Sequence, residues 1–260
     1  MSHRSSAYDK IHNNAISLVK ELLKIPENYK VLFLHGGGRA AFASVAQNLI
    51  SKTGEADYAI TGTWSFLAAE EAKNFGKVNY VFPKCEKGCD VPDQSTWKLN
   101  NNASYFYYCA NETVEGFEFP FVPEINDVPI VCDMSIYVCG KVLEYWKKEG
   151  GIETTEKLSK LKSEILYNLI DDSDDFYINE IHPNCRSRIN VTFRIRGGVP
   201  VEKEFLKLAE QHGMIQLKGH RSIGGIRASL YNAITVEEVG KLAGFMRLFE
   251  SEYSFDEIKS

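Results

Sequence analysis

Hydrophobic residues in the first half of the chain alternate between helical spacing and short continuous apolar runs. Ile11, Ala15, Leu18 and Leu22 recur every three to four residues, as in an amphipathic helix, and Pro26 ends this pattern. The same spacing predicts helices over 39–51 and 65–75, and apolar runs predict strands over 31–34, 56–61, 78–82, 105–108 and 128–133. Strands that alternate with helices form a mainly parallel sheet with helices on its faces. The predicted fold class is therefore α/β.

After Asp133 the pattern changes to one of α+β type. Helices are predicted over 136–148, 155–170 and 201–212, and strands over 176–179, 189–195, 214–217 and 226–230. Thr235-Val-Glu-Glu238 is a capping box that opens a last helix. We therefore expect a large domain over 1–135, a linking helix over 136–150 and a small C-terminal domain over 151–260.

Composition indicates a soluble globular protein, with 44% hydrophobic and 25% charged residues among 260. The net charge of −5 argues against nucleic acid or an anionic membrane as a partner. The sequence contains no secretory signal and no apolar run of membrane-spanning length, so we expect a cytoplasmic protein. Cys85 and Cys89 are four residues apart in a polar loop with no matching pair of ligands, so we expect no metal site, with zinc as the alternative.

Two glycine-containing segments are candidates for binding anions. Gly36-Gly-Gly-Arg39 follows the predicted strand 31–34 and opens a helix, where free backbone N–H groups and the helix dipole favour a phosphate. Lys218-Gly-His-Arg-Ser-Ile-Gly-Gly-Ile-Arg227 is a second, basic segment. A plain tight turn and a loop of solvated cations are the alternatives for the two segments.

The chain resembles the phosphoserine aminotransferase family in motifs that extend over nearly its whole length. The motifs are Ser2-His-Arg-Ser-Ser6, Asn28-Tyr-Lys-Val-Leu-Phe-Leu-His-Gly-Gly-Gly38, Ala56-Asp-Tyr-Ala-Ile-Thr-Gly-Thr-Trp64, Tyr107-Tyr-Cys-Ala-Asn-Glu-Thr113, Val131-Cys-Asp-Met-Ser135 and Lys218 to Asn232. The resemblance implies a fold-type-I transferase that uses pyridoxal 5'-phosphate. It further implies a homodimer that exchanges an amino group between glutamate and 3-phosphohydroxypyruvate in serine biosynthesis.

The resemblance also implies roles for single residues. Five of them would bind the cofactor: Gly38 and Arg39 its phosphate, Trp64 the ring face, Thr113 the phenolic oxygen and Asp133 the ring nitrogen. A core tryptophan, a helix-capping threonine and a helix-capping aspartate are the ordinary alternatives. Arg227 would bind the substrate carboxylate, because its planar fork matches a carboxylate. The substrate phosphate would lie between His220 and Arg221 of one subunit and His3 and Arg4 of the other.

The chain departs from the family pattern at one internal point. Asp133-Met-Ser135 runs directly into Ile136-Tyr-Val-Cys-Gly140, which resembles a much later family segment. The segment with the Schiff-base lysine is missing between them, as is the usual first segment of the family. No lysine lies between Lys98 and Lys141, and Lys141 falls on the predicted linking helix, so we nominate no substitute.

Three hypotheses follow. The chain belongs to the aminotransferases and is best described by that activity, impaired in this form because the lysine is missing. Alternatively, it is a non-catalytic spliced or truncated relative that binds a ligand or a full-length partner subunit. An unrelated α/β phosphate-binding protein is the third and weakest hypothesis, because Trp64, Thr113 and Asp133 occur together.

Overall fold

Parallel strands form the main sheet of the N-terminal part of the chain. In the computed structural model, which describes residues 5–84, 90–125, 128–134, 147–148 and 150–257, these strands are β1 (Glu55–Tyr58), β2 (Lys77–Tyr80), β3 (Phe106–Cys109) and β6 (Ile130–Asp133). Their order is β2-β1-β3-β6, and every neighbouring pair is parallel. The prediction of a mainly parallel sheet is confirmed. The carboxyl ends of β1, β3 and β6 consequently lie along one edge.

Alternating side chains of these strands build two cores. The first helix of the chain is α1 (Ser6–Leu22). Tyr58 and Tyr107 pack in one hydrophobic cluster with residues of the next two helices, α2 (Gly37–Leu49) and α3 (Thr63–Ala72). Phe106 and Tyr108 face the opposite cluster, where Trp97 stacks on Phe106 with 5.7 Å between ring centroids. Period-two burial of large aromatic side chains accounts for the fixed register of the sheet.

A short antiparallel hairpin follows β3 directly and was missed by the sequence analysis. Its strands are β4 (Asn111–Glu112) and β5 (Phe117–Glu118), with Glu112 opposite Phe117. Two-residue strands give too short a hydrophobic pattern to be recognised in a sequence. The hairpin matters because it places residues 112–115 against the start of α3.

The C-terminal part has its own antiparallel sheet and core. Strand β8 (Asn190–Ile195) lies between β7 (Tyr177–Ile178) and β9 (Ile226–Ser229). The helices are α4 (Gly151–Asp171), α5 (Val199–Gln211) and α6 (Val236–Glu257), whose apolar residues pack in one cluster. The Thr235–Glu238 capping box is confirmed, because Glu238 accepts from the backbone N–H of Thr235 at 2.7 Å and Thr235 accepts from that of Glu238 at 3.2 Å.

Two predicted strands are wrong. Residues 31–34 form no strand, and Leu32 and Leu34 are 71% and 77% exposed. The apolar run is real, but a strand forms only where a neighbour supplies hydrogen bonds, and none of the described strands pairs with it. Residues 214–217 also form no strand, because Gln216 has a positive φ of 63° that interrupts an extended chain. The predicted helix 136–148 lies outside the described residues, apart from positions 147 and 148.

Candidate functional site

The candidate site lies at the carboxyl edge of the parallel sheet. The segment Thr61–Trp64 follows β1, the hairpin of β4 and β5 follows β3, and Asp133 is the last residue of β6. Ligands of parallel α/β sheets bind beyond this edge, where loops and helix N-termini converge. Three of the sequence-predicted residues, Trp64, Thr113 and Asp133, therefore lie at or just beyond the carboxyl ends of neighbouring strands.

Trp64 and Thr113 are joined by a direct hydrogen bond. The indole Nε1–H of Trp64 donates to the hydroxyl Oγ1 of Thr113 at 2.8 Å, and both side chains are half-buried. A threonine hydroxyl that accepts one hydrogen bond keeps its own proton to donate elsewhere. The pair thus offers an aromatic face with a hydroxyl donor beside it.

Arg227 reaches the same hairpin from the C-terminal sheet. It lies opposite Thr192 in the pairing of β9 with β8, and its Nη1 donates to the backbone carbonyl of Thr113 at 3.3 Å. One guanidinium carries five N–H donors, so a single bond to this carbonyl leaves donors for a carboxylate. The structure therefore brings Trp64, Thr113 and Arg227 together.

Asp133 ends its strand beside two protonated groups. Its Oδ2 accepts from the hydroxyl of Tyr107 at 3.3 Å and lies 4.0 Å from the thiol sulfur of Cys109. Burial raises the pKa of Tyr107 well above its ordinary value, and the charge of Asp133 raises it further. Burial likewise raises the pKa of Cys109, so both neighbours stay neutral around the carboxylate.

The start of α2 has room for an anion. Gly36 has a φ of 107°, and a Cβ there would lie 2.5 Å from the Cβ of Ala40, so only glycine fits. A Cβ at Gly37 would meet nothing within 4 Å, and the exposed Arg39 lies in the first turn. An open helix N-terminus with a cation beside it suits a phosphate.

The second basic segment forms a closed loop before β9. Gly219 donates to the carbonyl of Gly225 at 2.8 Å, and a Cβ at Gly219 would lie 1.9 Å from the Gly224 carbonyl oxygen. His220 Nδ1 lies 2.6 Å from the Ser222 hydroxyl, and Arg221 is exposed. Within the described ranges, no hydrogen bond joins His220, Arg221 or Arg39 to the Trp64–Thr113 pair. His3 and Arg4 lie outside the described residues.

Two glutamates of the hairpin were missed by the sequence analysis. Glu112 is fully buried and accepts from the backbone N–H groups of Trp64 at 2.6 Å and Ser65 at 2.9 Å. Glu115 accepts from the backbone N–H of Thr63 at 3.0 Å. Burial raises the pKa of Glu112 to about 7, and the nearby charge of Glu115 adds to this effect. The sequence offered one signal for them: α3 is preceded by Gly62, which has no side chain to cap the helix, so an acidic side chain from elsewhere could do so.

Other candidate sites find no support in the described part of the chain. Cys85 and Cys89 lie outside the described residues, and those described contain no cluster of three metal ligands. Among the described helices, none is long and apolar enough to cross a membrane.

The sequence matches the aminotransferase class-V family over residues 1–135 and 130–242. The chain belongs to this family. It is 45% identical to the phosphoserine aminotransferase of Drosophila melanogaster, over 96% of this chain and 88% of that protein. Its fold matches the structure of phosphoserine aminotransferase from Bacillus circulans subsp. alkalophilus with a TM-score of 0.91 and 29% identity, over 97% of this chain and 89% of that one. The pyridoxal-phosphate-bound enzyme from Trichomonas vaginalis matches with a TM-score of 0.88 and 27% identity, over 95% and 90% of the two chains.

The match to the family is interrupted at one point. The two matched segments meet at residues 130–135, at the end of β6. The alignment with the Drosophila relative spans 322 positions, which exceeds the 260 residues of this chain by 62. The Drosophila relative therefore has at least 62 residues within this alignment that have no counterpart in this chain.

Proposed function

We propose that this chain is a phosphoserine aminotransferase in architecture and ligand recognition. The reaction of this type is amino transfer between glutamate and 3-phosphohydroxypyruvate. One observation carries the proposal beyond family membership: Thr113 accepts the indole N–H of Trp64 on its hydroxyl and the guanidinium of Arg227 on its carbonyl. A ring-stacking group, a hydroxyl donor and a carboxylate-binding group thus converge on one residue.

The cofactor proposed is pyridoxal 5'-phosphate, and the described residues fit it. Gly38 and Arg39 would hold the phosphate at the open start of α2, while Trp64 would lie against the ring. Thr113 would donate its free proton to the phenolic oxygen, and Asp133 would accept from the protonated ring nitrogen. When bound, the cofactor supplies an electron-withdrawing ring that accepts the electron pair left at the substrate carbon.

The substrate would be held by cations at its two ends. Arg227 is placed to bind the α-carboxylate in bidentate fashion, with the Thr113 carbonyl orienting its guanidinium. His220 and Arg221, with His3 and Arg4 of the partner subunit, would bind the substrate phosphate. We therefore propose a homodimer, because the family resemblance assigns two of these residues to the partner subunit, and we propose a cytoplasmic location on the resemblance alone.

This form should turn over poorly. The interruption at 130–135 coincides with the point where the resemblance implies that the lysine-bearing segment is missing. That lysine would anchor the cofactor and move a proton at the substrate carbon, and losing both functions removes orders of magnitude in rate. The proposed domain organisation remains a truncated large domain over 1–135, a linking helix over 136–150 and a small domain over 151–260.

A non-catalytic relative is the alternative function. The interruption itself favours it, because the lysine-bearing segment that the resemblance implies would fall within a gap of at least 62 alignment positions. Such a chain would bind the cofactor or a full-length subunit without turnover. Both proposed functions predict the same cofactor-binding residues. They differ in the expected rate of amino transfer, which is low for an impaired aminotransferase and zero for a non-catalytic relative.

Titration with pyridoxal 5'-phosphate tests the cofactor site. Arg39→Ala should weaken binding by roughly 1.5–3 kcal/mol, because one charge-assisted contact with the phosphate is lost. Arg247→Ala, an exposed arginine on α6, is the matched control and should bind like the parent. Equal affinities of the parent and Arg39→Ala would mean that Arg39 is a solvated surface residue and would contradict the proposed site.

A further inference from the structure

Glu112 is a buried acidic residue at the candidate site, and the proposed function gives it no role. It is fully buried at the end of β4, one residue before Thr113. Its Oε2 accepts from the Trp64 backbone at 2.6 Å, and its Oε1 accepts from the Ser65 backbone at 2.9 Å and from the Thr61 hydroxyl at 3.4 Å. A single carboxylate therefore satisfies two of the first backbone donors of α3, those of its second and third residues.

The glycine before α3 makes this contact tight. A Cβ at Gly62 would lie 2.6 Å from the Glu112 Cγ, so only glycine lets the carboxylate approach the helix start. The helix dipole favours the ionised form there, whereas burial and Glu115 oppose it. The charge of Glu112 in turn raises the pKa of two groups on β3, the Cys109 thiol and the Tyr107 hydroxyl.

The hydrogen bonds form a closed circuit. Glu112 holds the backbone of Trp64, the indole of Trp64 donates to the Thr113 hydroxyl, and Thr113 is bonded covalently to Glu112. The backbone position of Trp64 and the distance from its indole to Thr113 are thereby fixed together. Loss of the carboxylate opens the circuit without touching a group that contacts the ligand.

We propose that Glu112 is a positioning residue, whose carboxylate sets the indole of Trp64 against Thr113 and so shapes the face that receives the ring of the cofactor. The ligand part of this inference rests on the proposed function. The geometric part does not, because the Trp64–Thr113 bond exists in the chain itself.

The indole N–H resonance of Trp64, identified by its loss in Trp64→Phe, reports this bond directly. In the parent chain we expect it to shift with pH, with a midpoint near the pKa of Glu112, about 7. Glu112→Gln should remove this inflection, and Glu115→Gln should lower its midpoint, because the neighbouring charge is gone. Glu156→Gln, an exposed carboxylate on α4, should leave the midpoint unchanged.

Two results would overturn the inference: an inflection that persists in Glu112→Gln, or a midpoint that Glu115→Gln does not move. If Glu112→Gln does not fold, Glu115→Gln still decides. In a titration with pyridoxal 5'-phosphate, Glu112→Gln should bind about tenfold more weakly than the parent. Equal affinity would overturn the ligand part. A parent that binds no pyridoxal 5'-phosphate would refute the proposed function, while the resonance would still test the positioning of Trp64.

Discussion

The indole of Trp64 donates to the hydroxyl of Thr113 across 2.8 Å, between a helix that follows β1 and a hairpin that follows β3. Parallel pairing of the two strands brings these segments to the same edge of the sheet. The bond leaves the threonine proton free for an oxygen of the ligand. This hydrogen bond joins two residues to which the family resemblance assigns cofactor contacts.

Thr113→Val removes the hydroxyl while it keeps the side-chain shape. We expect pyridoxal 5'-phosphate to bind about 1–2 kcal/mol more weakly in an equilibrium titration, because one donor is lost and the Trp64 N–H loses its acceptor. Thr154→Val on α4 is the control, since its exposed hydroxyl bonds only to the Gly150 carbonyl among the contacts of the described residues. Parent-like affinity of Thr113→Val would contradict the role of the hydroxyl.

Arg227→Lys keeps the charge but loses the planar fork of donors. Glutamate should bind at least tenfold more weakly to this variant in the presence of the cofactor, because an ammonium cannot bind a carboxylate in bidentate fashion. Arg247→Lys should bind glutamate like the parent, as its side chain is exposed on α6. Equal binding by parent and Arg227→Lys would refute this substrate contact.

Glu112 should make folding stability depend on pH. Its pKa rises from 4.5 to about 7 in the folded chain, so the folded state binds more protons than the unfolded state between these values. The free energy of unfolding should therefore fall as pH rises through this window, by roughly 3 kcal/mol in total. Urea unfolding at pH 5 and pH 8 should show a smaller fall for Glu112→Gln. Identical falls would mean that the Glu112 carboxyl titrates normally.

Exposed apolar residues should make the chain associate. Leu34 is 77% exposed within an apolar segment that pairs with none of the described strands, and such segments promote edge-to-edge association. Leu34→Asp should shift the sedimentation profile toward smaller species, with little effect on stability because the side chain is exposed. Leu248→Asp, 65% exposed on α6, should not produce this shift. Equal profiles for Leu34→Asp and the parent would exclude this segment as the contact.

The parallel sheet could be predicted because apolar runs such as 105–108 alternate with segments of helical spacing, a pattern that favours parallel pairing. The prediction failed at 31–34, because a local pattern does not reveal whether a partner strand exists. The candidate anion-binding segments can be recognised from glycines and basic residues that lie close together in the sequence. Glu112 escaped notice because its importance comes from a contact with Trp64, 48 positions away. Burial and long-range pairing, which a single sequence does not display, account for both failures.

The rate of amino transfer from glutamate to 3-phosphohydroxypyruvate by the purified chain, saturated with pyridoxal 5'-phosphate, tests the central claim most directly. That claim is that the ligand-binding residues remain while the lysine-bearing segment is missing. We predict negligible turnover together with measurable cofactor binding. A turnover number within the ordinary enzymatic range of about 1–10³ s⁻¹ would contradict the account. It would direct the search for a substitute lysine to Lys218, the exposed first residue of the basic segment.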